Sequence, residues 1–343
     1  MASLLRLLSV TFLTMIVWQG SAMANNSEYL YYAHVHTQGA AWSLRVNDIF
    51  VRDNIDVPYA DYSPNIGLNL RPGRNTLSLL FSPITGQDPD TGEYLYALHD
   101  GVSIDIAIER YQWTTQAQER IRPIRIRYNE AEGKFEHLEH TAGGEERLLE
   151  QPHLRSNGRM QLSEFDNIIF GGGQTIDGYR LDITFTVDDP IPAFHWEREA
   201  VALEDSPALR RELRDAYRHI HGLISRNDTE AIFQEVEPVW ERTAYMLTER
   251  NSARDFVDNA SQGLEKFERI RPDGAVLQPL YWGENPQNDQ VEFLADGRLV
   301  RIRPNPILWE HPPAGSERFA SFPVVFYKTR NGEWRVADVA TNI

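Results

Sequence analysis

The chain has 343 residues, enough for about two domains with their own cores. It carries 50 Asp and Glu against 34 Lys and Arg, a formal net charge of −16, which argues against general nucleic-acid binding because that needs phosphate-neutralising basic patches. It has no cysteine, which excludes disulfides, thiol nucleophiles and cysteine metal sites.

Residues 1–24 have the build of a secretory signal peptide. Arg6 precedes an apolar run from Leu7 to Trp18, and Ser21-Ala22-Met23-Ala24 ends in a small-x-small pattern. The run is shorter than the ~20 residues of a spanning helix. Cleavage after Ala24 is expected, leaving a soluble periplasmic or secreted protein with no transmembrane segment.

Residues 25–187 read as an antiparallel β-sandwich. Tyr29, Tyr31, Ala33 and Val35 share one strand face, and Leu30, Tyr32, His34 and His36 the other. Trp42, Leu44 and Val46 follow, then a turn at Asn47-Asp48. A hairpin is expected from Ile66–Leu70 through Arg71-Pro72-Gly73-Arg74 to Asn75–Leu79. Val102, Ile104, Ile106 and Ile108 mark another strand, as do Ile121–Tyr128 and Tyr179–Val187. The run Leu70-Arg71-Pro72-Gly73-Arg74-Asn75-Thr76-Leu77 resembles the strand-joining turn of accessory β-sandwich modules, including carbohydrate-binding jelly rolls. The resemblance implies a sandwich fold and no particular binding residues.

Several local clusters in this half admit bland readings. His34 and His36 project to one side and with Tyr32 form a solvated or contact face, or share a metal whose other ligands are not evident. Glu136-His137-Leu138-Glu139-His140 fails the spacing of an inverted zinc-protease motif. Asp88-Pro89-Asp90-Thr91-Gly92-Glu93 is an acidic turn without a full calcium loop. Gly171-Gly172-Gly173 lacks the lysine of a phosphate loop.

At Asp188-Asp189-Pro190-Ile191-Pro192 the apolar period changes from two to three or four, so 188–206 reads as a linker. Residues 207–343 then read as an α+β domain, with helices packed on an antiparallel meander. Ser206 caps a helix with Pro207 in its first turn and a stripe of Leu209, Leu213, Tyr217, Ile220 and Ile224. His219 and His221 fall on different sides of it. A second helix carries Ile232, Val236, Trp240 and Tyr245, and a third is expected near 252–267. Strands follow at 276–282, 291–294, 299–302, 319–327 and 334–339, with tight turns at Asp296-Gly297 and Asn331-Gly332.

This order, closed by Gly332-Glu333-Trp334-Arg335-Val336-Ala337, resembles the nuclear-transport-factor-2-like cone fold. The resemblance implies helices over a curved sheet, often with a small-molecule pocket between them. Tyr217, Trp240, Tyr245, Tyr281, Trp282 and Trp334, with Arg301 as an anion partner, are the side chains that would line such a pocket or else fill the core.

Glu119-Arg120-Ile121-Arg122-Pro123 recurs as Glu268-Arg269-Ile270-Arg271-Pro272 and again in Arg301-Ile302-Arg303-Pro304. On a strand the two arginines share a face opposite the isoleucine. They form a basic ladder for carboxylate or phosphate groups, or exposed arginines paired with the many carboxylates. No serine elbow, zincin helix or phosphate loop is present, and no cofactor or metal is expected. The sequence thus points to a non-catalytic binding or interaction protein of the bacterial cell envelope: a glycan-binding accessory, an assembly factor or an immunity-type protein with a protein or glycan partner. The alternatives are a small-ligand carrier using the C-terminal pocket, or a hydrolase without a recognisable motif.

Overall fold

The computed structural model describes residues 27–55, 57–138, 153–161, 165, 175–247, 252–259, 263–313, 315 and 318–339. The expected signal peptide (residues 1–24), Glu139, His140 and Gly171–Gly173 lie outside the described residues.

The fold is an antiparallel β-sandwich followed by an α+β half. The sandwich strands are β1 (Tyr29–Gln38), β2 (Ala40–Val46), β3 (Ile49–Asn54), β4 (Tyr59–Tyr62), β5 (Gly73–Pro83), the short β6 (Gly86–Gln87) and β7 (Tyr94–Leu95), β8 (Ser103–Gln112), β9 (Gln118–Asn129), β10 (Lys134–Leu138), β11 (His153–Gln161) and β12 (Thr175–Val187). Ten of them form two five-stranded sheets, ordered β10-β9-β8-β1-β4 and β11-β12-β5-β2-β3, and β6 pairs with β7. Alternation places Tyr31, Ala33 and Val35 of one sheet against Leu44, Leu79 and Ile183 of the other in a common core.

The turn at Asn47 and Asp48 has positive φ at both residues, the geometry that lets a two-residue hairpin follow strand twist. The other expected hairpin takes a different form. Gly67–Asn69 is a 3-10 turn, and β5 pairs with β2 and β12 instead. The reason is Asn75. Its Oδ1 accepts from Arg71 N (2.9 Å) and from Asn47 Nδ2 (2.8 Å), while its Nδ2 donates to the carbonyls of Arg71 and Gly73 (both 2.8 Å). These bonds clasp the Pro72-Gly73 turn locally, so no partner strand is needed.

In the second half, α1 (Pro207–Ser225), α2 (Thr229–Leu247) and α3 (Ala253–Asn259) precede β13 (Val276–Leu277), β14 (Gln290–Leu294), β15 (Leu299–Arg303), β16 (Leu308–Glu310), β17 (Phe319–Ser321), β18 (Val324–Lys328) and β19 (Trp334–Val339). Ser206 caps α1, its Oγ accepting from Leu209 N at 3.1 Å. The strand expected over 319–327 is broken at Phe322-Pro323 and serves two sheets, β13-β16-β17 and β14-β15-β18-β19. The strand expected over 276–282 ends at Leu277, and the third helix ends at Asn259, with only a 3-10 turn at Leu264–Phe267 beyond it.

The four-stranded sheet is covered on both faces. Val300, Ile302, Phe326 and Val336 pack against α1 and α2. Leu294, Leu299, Val325, Tyr327 and Ala337 pack instead against Ile49 of the sandwich and against Phe194 and Trp196 of the connecting stretch. The 188–206 stretch is therefore a packed strap. Asp189 accepts from Arg110 Nε (2.6 Å) and Arg110 Nη2 (2.7 Å) and from the Tyr31 hydroxyl, while Val201 N donates to Lys328 O. The end of α2 crosses the seam, placing Met246 in the sandwich core.

Candidate functional site

Alternation along β14, β15 and β19 decides which side chains reach the seam between the halves. Glu292 is the register partner of Arg301, while their neighbours Val291 and Ile302 turn to the helices. Val325 is the register partner of Asp338 and belongs to the seam core. A polar row of Glu292, Arg301 and Asp338 thus crosses the seam face of the sheet, with a hollow at each end.

At the β14 end, Glu292 gathers guanidiniums. Its carboxylate lies 2.6 Å from Arg301 Nε, 2.7 Å from Arg45 Nη1 and 3.8 Å from Arg303 Nη1. Burial pushes this carboxyl up, but Arg301, Arg45 and Arg303 outweigh burial and hold it at about 2. At the β19 end, burial raises the Asp338 carboxyl to about 6, against the pull of the Val339 N–H and of Arg301 and Arg242.

Arg242 of α2 ties the halves together. Its guanidinium donates to the carbonyls of Leu68 (3.1 Å), Leu70 and Pro192, and sits 4.2 Å over the Phe194 ring. Burial lowers its pKa to about 10.

The larger hollow, about 750 Å³, lies beside Asp338 and is walled by the outer face of β1, by β3 and β4 and by the 64–69 loop. Tyr32, Tyr62 and Trp113 bring aromatic rings to it, and Trp113 is 54% exposed. Arg52 stacks 4.4 Å over Tyr62, and Asp53, Asn54, Asn65 and Asn69 add polar groups. A smaller hollow of about 360 Å³ lies at the Glu292 end, and a third, of about 540 Å³, surrounds His195 and Tyr327. His195 Nε2 donates to Val336 O at 3.0 Å, and burial lowers the ring's pKa.

The side chains expected from the sequence to line a pocket or fill the core occupy several different surroundings. Tyr217 and Trp240 are fully buried between helices and sheet. The Tyr217 hydroxyl donates to Val324 O (3.2 Å) and accepts from Ile302 N (3.1 Å). Trp282 packs edge-on to Tyr217 beneath Arg214, and Trp334 Nε1 donates to Glu212. Tyr245 donates to Pro190 O across the seam, and Tyr281 is 45% exposed. None of the seven residues lines any of these three hollows. For Tyr217 and Trp240 the physical reason is volume: their rings fill the space between helices and sheet. Arg301 does meet an anion, but its partner is Glu292 from its own sheet.

Some features of the seam were legible in the sequence, and three were not. Tyr32 was legible as part of a contact face with His34 and His36. His34 now pairs with Glu109 at 3.1 Å, and His36 packs on Tyr59. The Arg301-Ile302-Arg303 ladder was legible too: the two arginines share a face opposite the isoleucine as expected, and the isoleucine packs toward the helices. Trp113, Asp338 and Arg242 carried no local signal.

No family model, curated protein or solved structure matches the chain.

Proposed function

We propose that this chain is a glycan-binding protein of the bacterial cell envelope, acting by binding without catalysis and seating its ligand in the larger seam hollow. One observation carries the reading: Tyr32, Tyr62 and exposed Trp113 share a hollow of about 750 Å³ with Arg52, Asp53 and the amides of Asn54, Asn65 and Asn69. Aromatic faces stack on the C–H faces of sugar rings, while amide, carboxylate and guanidinium groups pair with hydroxyls. The volume lies within the ~300–1,000 Å³ range of small-molecule sites. Export through the residue 1–24 segment completes the proposal, and N-terminal sequencing of the periplasmic fraction tests it. Assignment of 207–343 to the nuclear-transport-factor-2-like fold also belongs to the proposal, supported by α1 and α2 lying on a four-stranded antiparallel sheet.

The direct test is a glycan array with the full chain, followed by calorimetric titration of the sugars retained. Saturable binding supports the reading. No glycan binding, together with a specific protein recovered from native envelope extracts, replaces it with a protein partner. A hydrolase reading has one observation in its favour, the Asp338 carboxyl raised to about 6 beside the same hollow. Release of shortened sugar from a bound oligosaccharide would establish it.

A further inference from the structure

The hollow at the Glu292 end is cationic in an acidic chain. Arg45, Arg180 and Arg303 line it with a single carboxylate, Glu292. Two walls face each other there. Arg45, Ser78 and Arg180 come from β2, β5 and β12 of the sandwich, whereas Glu292 and Arg303 come from β14 and β15.

Acceptors run short around Arg45. Glu292 is already shared among Arg301, Arg45 and Arg303. Arg45 Nε is buried without a hydrogen-bond partner among the described residues. Arg180 binds Asp182 (2.8 Å), Asp48 (3.4 Å) and Ser78 Oγ (2.9 Å), but Asp182 must also serve Arg155 at 3.0 Å. A guanidinium offers five N–H donors in a planar fork that matches carboxylate and phosphate oxygens.

We propose that this hollow binds an oxyanion, a carboxylate or phosphate group of an acidic ligand, held between Arg45 and Arg180 across the seam. Its volume of about 360 Å³ admits a phosphate or one sugar acid. Such an anion would supply the missing acceptors through charge-assisted, two-pronged contacts. It would also join the two halves, so binding should raise the melting temperature. This inference is independent of the glycan reading, because it uses the opposite end of the seam.

The test is calorimetric titration of the full chain with inorganic phosphate and, separately, glucuronate, at neutral pH and constant ionic strength. One saturable site is expected, and the tighter of the two probes identifies phosphate or carboxylate as the group. Arg45→Lys keeps a cation beside Glu292 but removes the fork, and Arg180→Gln removes the opposite cation. Each should weaken binding about tenfold or more, while Arg120→Gln on β9 leaves it unchanged. Melting of each unliganded variant shows whether it folds, and if one does not, the other carries the comparison. No saturable binding of either probe at millimolar concentration overturns the proposal. So does wild-type affinity in a folded Arg45 or Arg180 variant.

Discussion

Arg45 Nη1 of the sandwich lies 2.7 Å from Glu292 Oε1 of the C-terminal sheet, so an ion pair closes one end of the seam. Both side chains are half-buried, and removing one partner leaves the other poorly compensated, which costs more than the pair contributes. The Glu292 carboxyl is held at about 2, below the ~4.3 of an unfolded glutamate. Its stabilisation is therefore complete above pH ~4.3 and lost as pH falls toward ~2. Glu292→Gln should cost about 3 kcal/mol near neutral pH and abolish this part of the acid slope, measured by urea unfolding across pH.

Asp338 works with the opposite sign. Its carboxyl is raised to about 6, above the ~3.9 of an unfolded aspartate, so folding favours the protonated form. Stability linked to it is full below pH ~4 and lost as pH rises through about 6. Asp338→Asn should stabilise the protein by about 3 kcal/mol at neutral pH and by nothing below pH ~4, read from the same urea series.

Arg242 joins α2 to the Leu68 and Leu70 carbonyls and to Pro192 of the strap. Arg242→Met leaves those acceptors without their donor and should cost about 3–5 kcal/mol. Arg218→Met, at an exposed position of α1, should stay within ~0.5 kcal/mol. For the same reason residues 207–343 expressed alone should melt below the full chain, since Leu299, Val325 and Ala337 lose their cover.

Trp240 and Tyr217 separate core from pocket. Trp240→Ala should cost about 3–5 kcal/mol and Tyr217→Phe about 1 kcal/mol. For Tyr217→Phe, which keeps the ring in place, ligand binding should be unchanged.

Much of the fold was legible because its signals are local. Period-two runs gave β1, β2, β8 and β12, and the Ser206-Pro207 cap with its apolar stripe gave α1. Asp296 and Gly297 both adopt the positive φ expected of their turn. Where local signals competed, reading failed. Ile66–Leu70 alternates like a strand, yet it lies over the seam as a turn whose carbonyls meet Arg242. The site was harder because it is assembled from distant segments. Arg242 is a charged residue on a helix and reads as solvated until the sandwich carbonyls are placed above it. Arg301 and Arg303 were legible as a shared face, but only the sandwich supplies Arg45 and makes that face interior. Trp113 sits in the turn after β8, where no periodicity marks it.

Trp113 offers the most direct test of the seam as a binding site, because the residue is 54% exposed and contributes little to the core. Calorimetric titration of wild type and Trp113→Ala with an array-selected glycan measures it. At least about tenfold weaker binding is expected in the variant, with unfolding free energy changed by less than ~0.5 kcal/mol. Equal glycan affinity in the two proteins, with both fully folded, would contradict it.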